Sequence, residues 1–396
     1  LGLVGSEICI RDRGLDGAHV LVRLDLNVPL GDGRVKDDTR VQAALPTVQW
    51  LLDAGARVAL CSHLGKAKGS PDPAFSLAPV GAVLAEALGT SVPFATDCLD
   101  GDRHQRLEDA PVLLLENLRF HAGEKANDPA FGAALAAGFT HYVNDAFGTA
   151  HRAHASVTDV ANRYGAGHKA AGRLMGREVA ALRRAVENPA QPFVAVVGGA
   201  KVSTKTEPLR ALLSRVRRLI IGGGMANTFL KAKGLQIGRS LVEDDMLETA
   251  TAVMERAASK GIELLLPTDV VVAEAIQDAQ DVQVVPVDAV PADRLIVDMG
   301  PDSRRRAAEA LRDAQTVFWN GPMGVFEQPE FAAGTLAVAE AMAACDGFTV
   351  VGGGESVLAV KQAGVDTAID HVSTGGGASL KFITGEPLPA IVALEV

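Results

Sequence analysis

Five short apolar runs in the second half of this chain each end in a glycine cluster. Val194–Val197 leads into Gly198-Gly199-Ala200-Lys201, Leu219–Ile221 into Gly222-Gly223-Gly224, and Val317–Trp319 into Asn320-Gly321-Pro322. Val350–Val351 leads into Gly352-Gly353-Gly354, and His371–Thr374 into Gly375-Gly376-Gly377. The pattern predicts strands that feed helices through glycine turns. A turn of that kind presents bare backbone N–H groups and the positive end of a helix to a phosphate. One such turn is also an ordinary tight connection. Five in half a chain predict a site for a polyphosphate.

The first half ends its apolar runs in different chemistry. Val20–Leu26 gives Asp25 and Asn27, and Val58–Cys61 gives Ser62-His63-Leu64-Gly65-Lys66. Val112–Leu115 gives Glu116-Asn117-Leu118-Arg119, and Tyr142–Val143 gives Asn144-Asp145, followed by His151-Arg152-Ala153-His154. In open α/β sheets ligands bind outside the carboxyl ends of the strands, so these groups are expected along one edge. An edge with Arg40, Lys66, Arg119, Arg152 and His63 suits a compact anion held by bidentate guanidinium contacts. Each of these cations alone is an ordinary surface residue. Arg23 is expected inside its strand. The two halves thus predict two sites for two anionic ligands.

At 396 residues the chain exceeds what one core usually serves, so two domains are expected. Aromatic residues make up only 4%, which predicts cores of Ala, Val and Leu. A formal net charge of −10 argues against nucleic acid or an anionic membrane as partner, so any cationic pocket is local. No apolar run approaches the ~20 residues of a membrane span, and the N-terminus has no export-signal pattern. Cys9, Cys61, Cys98 and Cys345 lie far apart with no metal spacing, which predicts reduced thiols in a cytoplasm.

Apolar periodicity predicts a helix over Thr39–Ala54, and others over Leu77–Leu88, Pro129–Ala137, Val242–Lys260, Ser303–Ala314 and Phe331–Ala344. Their alternation with short Val/Ile/Leu runs predicts βαβ units and parallel sheets. The segment Gly172–Asn188 carries an apolar stripe and is stopped by Asn188-Pro189. It serves equally as a rigid connector between halves or as an ordinary crossover helix.

Several familiar motifs fail. There is no G-x-x-x-x-G-K-[ST], and the G-x-G-x-x-A match at Gly165–Ala170 does not follow a strand. His151 and His154 lack a local third ligand for zinc. Lys201 and Lys205 lie four apart, so on a helix they would share a face. Cations at a helix start are electrostatically disfavoured, and a bound anion relieves that conflict. Glu355 follows three glycines at another helix start; it serves either the helix dipole or a nucleotide-bound Mg²⁺. Glu327 stands where it can accept from ribose hydroxyls, although spacing alone does not decide this.

At these residues the sequence closely resembles phosphoglycerate kinase. The matching stretches in the first half are Val22-Arg23-Leu24-Asp25-Leu26-Asn27-Val28-Pro29, Asp37-Asp38-Thr39-Arg40, Ser62-His63-Leu64-Gly65 and Glu116-Asn117-Leu118-Arg119-Phe120-His121. Asn144-Asp145-Ala146-Phe147-Gly148-Thr149-Ala150-His151-Arg152-Ala153-His154 completes that half. In the second half the match covers Gly198-Gly199-Ala200-Lys201-Val202, Gly222-Gly223-Gly224-Met225, Trp319-Asn320-Gly321-Pro322-Met323-Gly324-Val325-Phe326-Glu327 and Ser373-Thr374-Gly375-Gly376-Gly377-Ala378.

The resemblance implies two Rossmann-like α/β/α domains with parallel sheets, joined by a hinge helix. Residues 1–171 would form a glycerate-binding domain, 172–188 the hinge, and 189–384 a nucleotide-binding domain, with about 385–396 packing back on the first. The implied activity is reversible phosphoryl transfer between 1,3-bisphosphoglycerate and ADP, giving 3-phosphoglycerate and ATP, with Mg²⁺, in a cytoplasmic monomer. Asp25, Asn27, Arg40, His63, Lys66, Arg119 and Arg152 would hold the glycerate ligand. Lys201, Lys205, Glu327, Gly353, Gly354, Glu355 and Ser356 would hold the nucleotide, with Glu355 reaching the Mg²⁺. Arg40, Lys201 and the N–H groups near Gly353 and Gly376 would stabilise the moving phosphoryl group.

Five positions depart from the family pattern. Lys66-Ala67 stands where Arg-Pro is usual, Thr204 for an Asp, Ile296 for a Gly, Glu355 for an Asp and Lys381 for a Glu. Two rival readings follow: a diverged paralogue that binds its ligands with weak or no turnover, and a kinase for another carboxylic acid.

Overall fold

Short Val, Leu and Ala runs without polar alternation must be covered on both faces, and both large sheets of the protein are built from them. The computed structural model describes residues 14–277 and 281–395; Cys9 lies outside them. The first of two compact units runs through Ala180 and takes in the chain from Pro387. Its strands are β1 (His19–Arg23), β2 (Arg57–Cys61), β3 (Phe94–Ala95), β4 (Val112–Leu115), β5 (His141–Asn144) and β6 (Lys169–Ala171). They pair in parallel in the order β3-β4-β2-β1-β5-β6. Helices α1 (Thr39–Asp53), α2 (Ala78–Leu88), α3 (Ala122–Ala126) and α4 (Pro129–Ala136) belong to this unit. Val41, Val48 and Leu51 of α1 pack on Val20, Val22, Val58 and Leu60 of the sheet.

The apolar run expected as one strand to Leu26 leaves the ladder at Arg23. Beyond it the Leu24 N–H still reaches the Cys61 carbonyl (3.0 Å), but that of Leu26 takes the Ser62 hydroxyl instead (2.9 Å). A side chain has replaced the ladder, which frees the backbone to turn and present Asp25 and Asn27.

Helix α5 (Arg173–Val186) carries the chain from the first unit into the second, Ala181–Glu386, so the boundary falls within the helix. Its start is tied down by Asp145. The Asp145 carboxylate accepts from the Met175 N–H (2.9 Å) and the Thr47 hydroxyl (2.5 Å), while Thr47 accepts from the Arg173 N–H (2.9 Å).

The second unit holds β7 (Phe193–Val197), β8 (Arg218–Ile221), β9 (Glu263–Leu265), β10 (Asp269–Ala273), β11 (Gln283–Pro286) and β12 (Leu295–Met299). It continues with β13 (Thr316–Asn320), β14 (Phe348–Gly352) and β15 (His371–Val372). The main sheet has the order β9-β8-β7-β13-β14-β15, all parallel, and β11-β10-β12 forms a small antiparallel sheet. The strand order reverses direction between β7 and β13, which is the switch point where open α/β sheets bind ligands.

The unit's helices are α6 (Thr206–Leu212), α7 (Gly224–Ala232), α8 (Leu247–Ser259), α9 (Pro301–Arg312), α10 (Ala333–Ala343), α11 (Gly354–Gln362) and α12 (Gly376–Thr384). Helix α13 (Pro389–Glu395) returns to the first unit, where the Ala390 N–H donates to the Ala150 carbonyl (3.1 Å).

Three glycine clusters open helices as the sequence pattern predicts: those of α7, α11 and α12. The other two do not. After β7 the chain stays irregular until Thr206, and after β13 until Ala333 apart from a short turn at Pro329–Phe331. The reason is mutual: the Gly198 N–H donates to the Asn320 carbonyl (3.0 Å) and that of Gly199 to Pro322 (2.9 Å), so the two loops brace each other across the switch point.

Trp319 is fully buried just before this brace, against Val194, Val196, Met299 and Val351, with its indole N–H on the Gly321 carbonyl (2.7 Å). Trp319→Ala should cost about 3–5 kcal/mol of stability, read as a lowered midpoint in denaturant titration followed by circular dichroism.

Candidate active site

In the first unit the groups at the strand ends are joined by hydrogen bonds. Arg40, on the first turn of α1, donates to the Asp25 carboxylate (3.1 Å) and to the Asn27 carbonyl (3.0 Å). The Asn27 side-chain oxygen accepts from the Gly65 N–H (2.8 Å), and the Gly65 carbonyl accepts from the Arg119 guanidinium (2.5 Å). Asn117 holds the turn that carries Arg119, accepting from the Arg119 and Leu64 N–H groups (3.0 and 3.2 Å) and donating to the Leu64 carbonyl (2.8 Å). Asp25, Asn27, Arg40 and Arg119 thus form one assembly. Lys66 and Arg152 stand exposed at its margin, with the Arg152 Nε donating to His151 (3.3 Å).

Arg119 is the most strained of these electrostatically. It is buried, yet its Nε and one terminal nitrogen have no hydrogen-bond partner among the described residues. Burial, then the nearby charges of Arg152 and Arg23, lower its pKa to about 10. A buried guanidinium among like charges is costly, and unsatisfied donors of this kind make the position a candidate for holding an anion.

Arg23, which the sequence pattern places inside its strand, lies fully buried beneath. Its Nε donates to the Ser156 hydroxyl (2.9 Å), which donates in turn to the fully buried Glu124 carboxylate (2.7 Å). Its other nitrogens reach the Leu24 carbonyl and the His63 Nδ1 (3.2 Å). A guanidinium only donates, so His63 Nδ1 must accept and the ring proton sits on Nε2. Burial, followed by the fields of Arg23, Arg119, Arg152 and Arg40, holds His63 well below its usual range. Burial and the fields of Arg119 and Arg23 likewise bring His154 down to about 4, so it faces Glu124 (3.7 Å) as a neutral ring near neutral pH. The partnership of strand-interior Arg23 with helical Glu124 gives no sequence signal, because it depends on β1 and α3 meeting in space.

The second unit carries a polar hollow of about 460 Å³ lined by Lys201, Thr204, Lys205, Asn320, Gly353, Glu355, Ser356 and Gly376, among others. Here the starts of α11 and α12 abut. A Cβ added to Gly376 would lie 2.8 Å from the Gly353 Cα, and Gly353 has φ +103°, so both positions require glycine. Two positive helix ends therefore face one space. The Lys205 ammonium donates to the Asn320 side-chain oxygen, and Asn320 donates to the Gly352 carbonyl (2.7 Å). Burial lowers the Lys205 pKa, and the charge of Glu355 opposes that shift. Ser356 is fully buried and accepts from the Gly321 N–H (2.6 Å), which pins the start of α11 to the β13 loop. Asn320 was visible in sequence at a strand end, but its hold on Lys205 was not.

The expectation that Lys201 and Lys205 would share a helical face is corrected by the fold: α6 begins only at Thr206, with Lys205 at its cap position and Lys201 exposed in the preceding loop. The brace between the β7 and β13 loops draws the chain away from a helix there. Both lysines still line the same hollow.

Beside it lies a more apolar hollow of about 210 Å³, whose walls include Leu230, Leu241, Ile296, Pro322 and Met323. Glu327 is exposed at this second hollow, and Glu355 borders both. An apolar slot next to an anion cradle suits a flat heterocycle joined to phosphates. Ile296, where the sequence pattern expected glycine, forms part of that slot.

The tautomer argument is testable by nitrogen NMR of histidine-labelled protein. His63 should stay neutral with its proton on Nε2 at pH 6.5, where an ordinary imidazole is half protonated. Arg23→Gln should raise its pKa and allow proton exchange onto Nδ1.

Comparison with known proteins identifies the family. The family model for phosphoglycerate kinase matches residues 10–386. A phosphoglycerate kinase of Desulfosudis oleivorans is 53% identical over 383 residues, covering 96% of each chain. One of Triticum aestivum, named as cytosolic, is 51% identical over 389 residues, again covering 96% of each. The solved phosphoglycerate kinase of Coxiella burnetii superposes with a TM-score of 0.87 at 42% identity, covering 98% of both chains. With a family model matched over residues 10–386 and similarity extending over nearly its whole length, the chain belongs to the phosphoglycerate kinase family.

Proposed function

We propose that the chain transfers a phosphoryl group reversibly between 1,3-bisphosphoglycerate and ADP, giving 3-phosphoglycerate and ATP. The observation that carries this reading is the pairing of two unlike anion sites on one chain. One is a cluster of guanidinium groups around a buried Arg119 with unused donors. The other is a pair of abutting glycine-capped helix starts with two lysines.

Asp25, Asn27, Arg40, His63, Lys66, Arg119 and Arg152 bind the glycerate ligand in this reading. Asp25 orients Arg40, and the Nε2–H of His63 is the hydrogen that it offers to an anion. Lys205, Gly353, Gly354 and Ser356 form the phosphate cradle, with Glu327 at the base-binding slot for the ribose. In the ATP-consuming direction the carboxylate of 3-phosphoglycerate attacks the terminal phosphorus and ADP leaves. An acyl phosphate is a good donor, so neither a covalent enzyme intermediate nor a general base is required. The protein must align donor and acceptor, exclude water and neutralise charge on the moving group. Arg40, Lys201 and the N–H groups near Gly353 and Gly376 do the last of these.

The residues fit a nucleotide-borne Mg²⁺. One exposed carboxylate, Glu355, borders the phosphate hollow, and Mg²⁺ characteristically takes one or two carboxylates while keeping waters and phosphate oxygens. When bound there it would neutralise phosphate charge. Transfer also requires the glycerate-binding domain (1–171, with about 385–396) and the nucleotide-binding domain (189–384) to close by bending at the helix across 172–188. The protein works as a cytoplasmic monomer in this reading, in keeping with the cytosolic wheat relative. No helix among the described residues is long and apolar enough to cross a membrane.

A coupled assay with purified protein, 3-phosphoglycerate and MgATP should show turnover. Arg40→Ala and Lys201→Ala should each lower kcat by about 10²–10³ with modest change in KM. Near-normal kcat in both variants would remove the assigned roles. Saturable binding without turnover in the parent chain would instead favour a diverged paralogue, and turnover only with another acid a different kinase.

A further inference from the structure

The cysteines show no metal spacing in sequence, yet the fold of the first unit brings Asp97, Cys98 and His121 together. One ligand atom from each lies within 4.8 Å of the other two. Asp97 and Cys98 follow β3, and His121 immediately precedes α3. We propose that this cluster binds a borderline-soft divalent metal of the zinc type, through the Asp97 carboxylate, the Cys98 thiolate and the His121 Nε2, with a fourth position left to solvent.

The donor set selects the metal. Thiolate, imidazole and carboxylate together suit Zn²⁺ or Co²⁺, whereas Mg²⁺ and Ca²⁺ take oxygen ligands. Tetrahedral zinc with bonds of about 2.0–2.3 Å sets its ligand atoms roughly 3.3–3.8 Å apart. Side-chain movements of about an ångström or less therefore close the site. The backbone is already held for it. Asp97 accepts from the Leu99 N–H (2.8 Å) and the Cys98 carbonyl from Arg103 (2.8 Å). The His121 ring rests against Phe131, with centroids 5.3 Å apart.

Burial places the sulfur at the floor and the oxygen at the mouth. Cys98 is 1% exposed, while the side chains of His121 and Asp97 are 30% and 52% exposed. Without metal, the carboxylate can only accept, so His121 Nε2 donates its proton to Asp97 (2.8 Å). That hydrogen bond alone would be an ordinary surface pair. The buried thiol beside it is what turns the pair into three converging ligands. Burial, together with the negative charge of Asp97, raises the Cys98 pKa, and the charge of Arg103 lowers it in part. A divalent cation supplies the missing stabilisation. The S–H bond breaks as the sulfur–metal bond forms, and the thiol proton passes to solvent. The neutral imidazole exchanges its Nε2 proton for one on Nδ1, so binding releases one proton overall. Thiolate and carboxylate together then balance the metal's two charges. His121 also closes the turn Leu118–Phe120 that carries Arg119, which places the metal next to the anion cluster without sharing its ligands.

The full chain, reduced and free of nucleotide, would be titrated with Co²⁺. One equivalent should bring a sulfur-to-cobalt charge-transfer band and the intense visible absorption of a tetrahedral ion, both abolished by Zn²⁺, with one proton released per metal. Cys98→Ser should lose the charge-transfer band. His121→Gln and Asp97→Asn should weaken binding by at least the roughly tenfold that loss of an outer-shell partner costs. Turnover by these variants without added transition metal would show that they are folded. A wild-type chain with no charge-transfer band at millimolar Co²⁺ overturns the proposal whatever the variants do. So does a band that survives in folded Cys98→Ser, since it would assign the sulfur to another cysteine.

Discussion

Positive charge held where water cannot reach it is the constraint around which the first unit is arranged. Arg23 is fully buried and Arg119 nearly so, and neither meets a carboxylate directly among the described residues. Glu124 reaches Arg23 only through the Ser156 hydroxyl. A buried carboxylate paired face to face with Arg119 would satisfy it and leave nothing for a ligand. The relay through Ser156 keeps Glu124 one hydroxyl removed from Arg23, and the Glu124 charge only partly offsets the burial of Arg119. The field of these cations leaves His63 and His154 neutral, which preserves one defined N–H on His63. Stability is thus spent on buried cations that their neighbours leave incompletely satisfied.

The second unit solves the same problem with backbone instead of side chains. A parallel sheet whose strand order reverses between β7 and β13 leaves two loops side by side, and these lock to each other through Gly198, Gly199, Asn320 and Pro322. The locked loops hold Asn320 against Lys205 and Gly321 against Ser356. Ser356 in turn fixes the start of α11, and the close approach of Gly376 to Gly353 brings α12 beside it. A chain of short contacts therefore leads from strand order to two converging helix ends. A side chain at Gly198, Gly321 or Gly376 would push that geometry apart.

The family pattern is departed from at positions that touch the hollow edges more than the braces. Lys66 is exposed at the margin of the guanidinium cluster, Thr204 and Glu355 line the phosphate hollow, and Ile296 lines the apolar slot. Lys381 pairs with Glu386 on the surface (3.0 Å). Asn320, Ser356, Gly353, Gly376, Arg23 and Arg119, which hold the two cradles together, retain their contacts with one another or with the strands.

Much of this was legible in the chain itself, because strand ends and helix starts are written in local chemistry. Apolar runs that stop at glycine, or at Asp, Asn, His and Arg, predicted parallel sheets and two anion sites without knowledge of any contact. The family followed from the order of those same motifs. What local pattern cannot encode is which distant groups meet. Helix α6 begins late because a loop from β13 competes for the β7 turn. Arg23 reaches His63 only because β1 lies beside β2, and Ser156 joins it to Glu124 only because loops far apart in sequence converge. Asp97 and Cys98 find His121 across a gap no ligand spacing would reveal. Sequence determined the elements and the chemistry at their ends, which depend on neighbours along the chain. The tertiary structure decided charge states, tautomers and partnerships, because these depend on burial and on fields from residues distant in sequence.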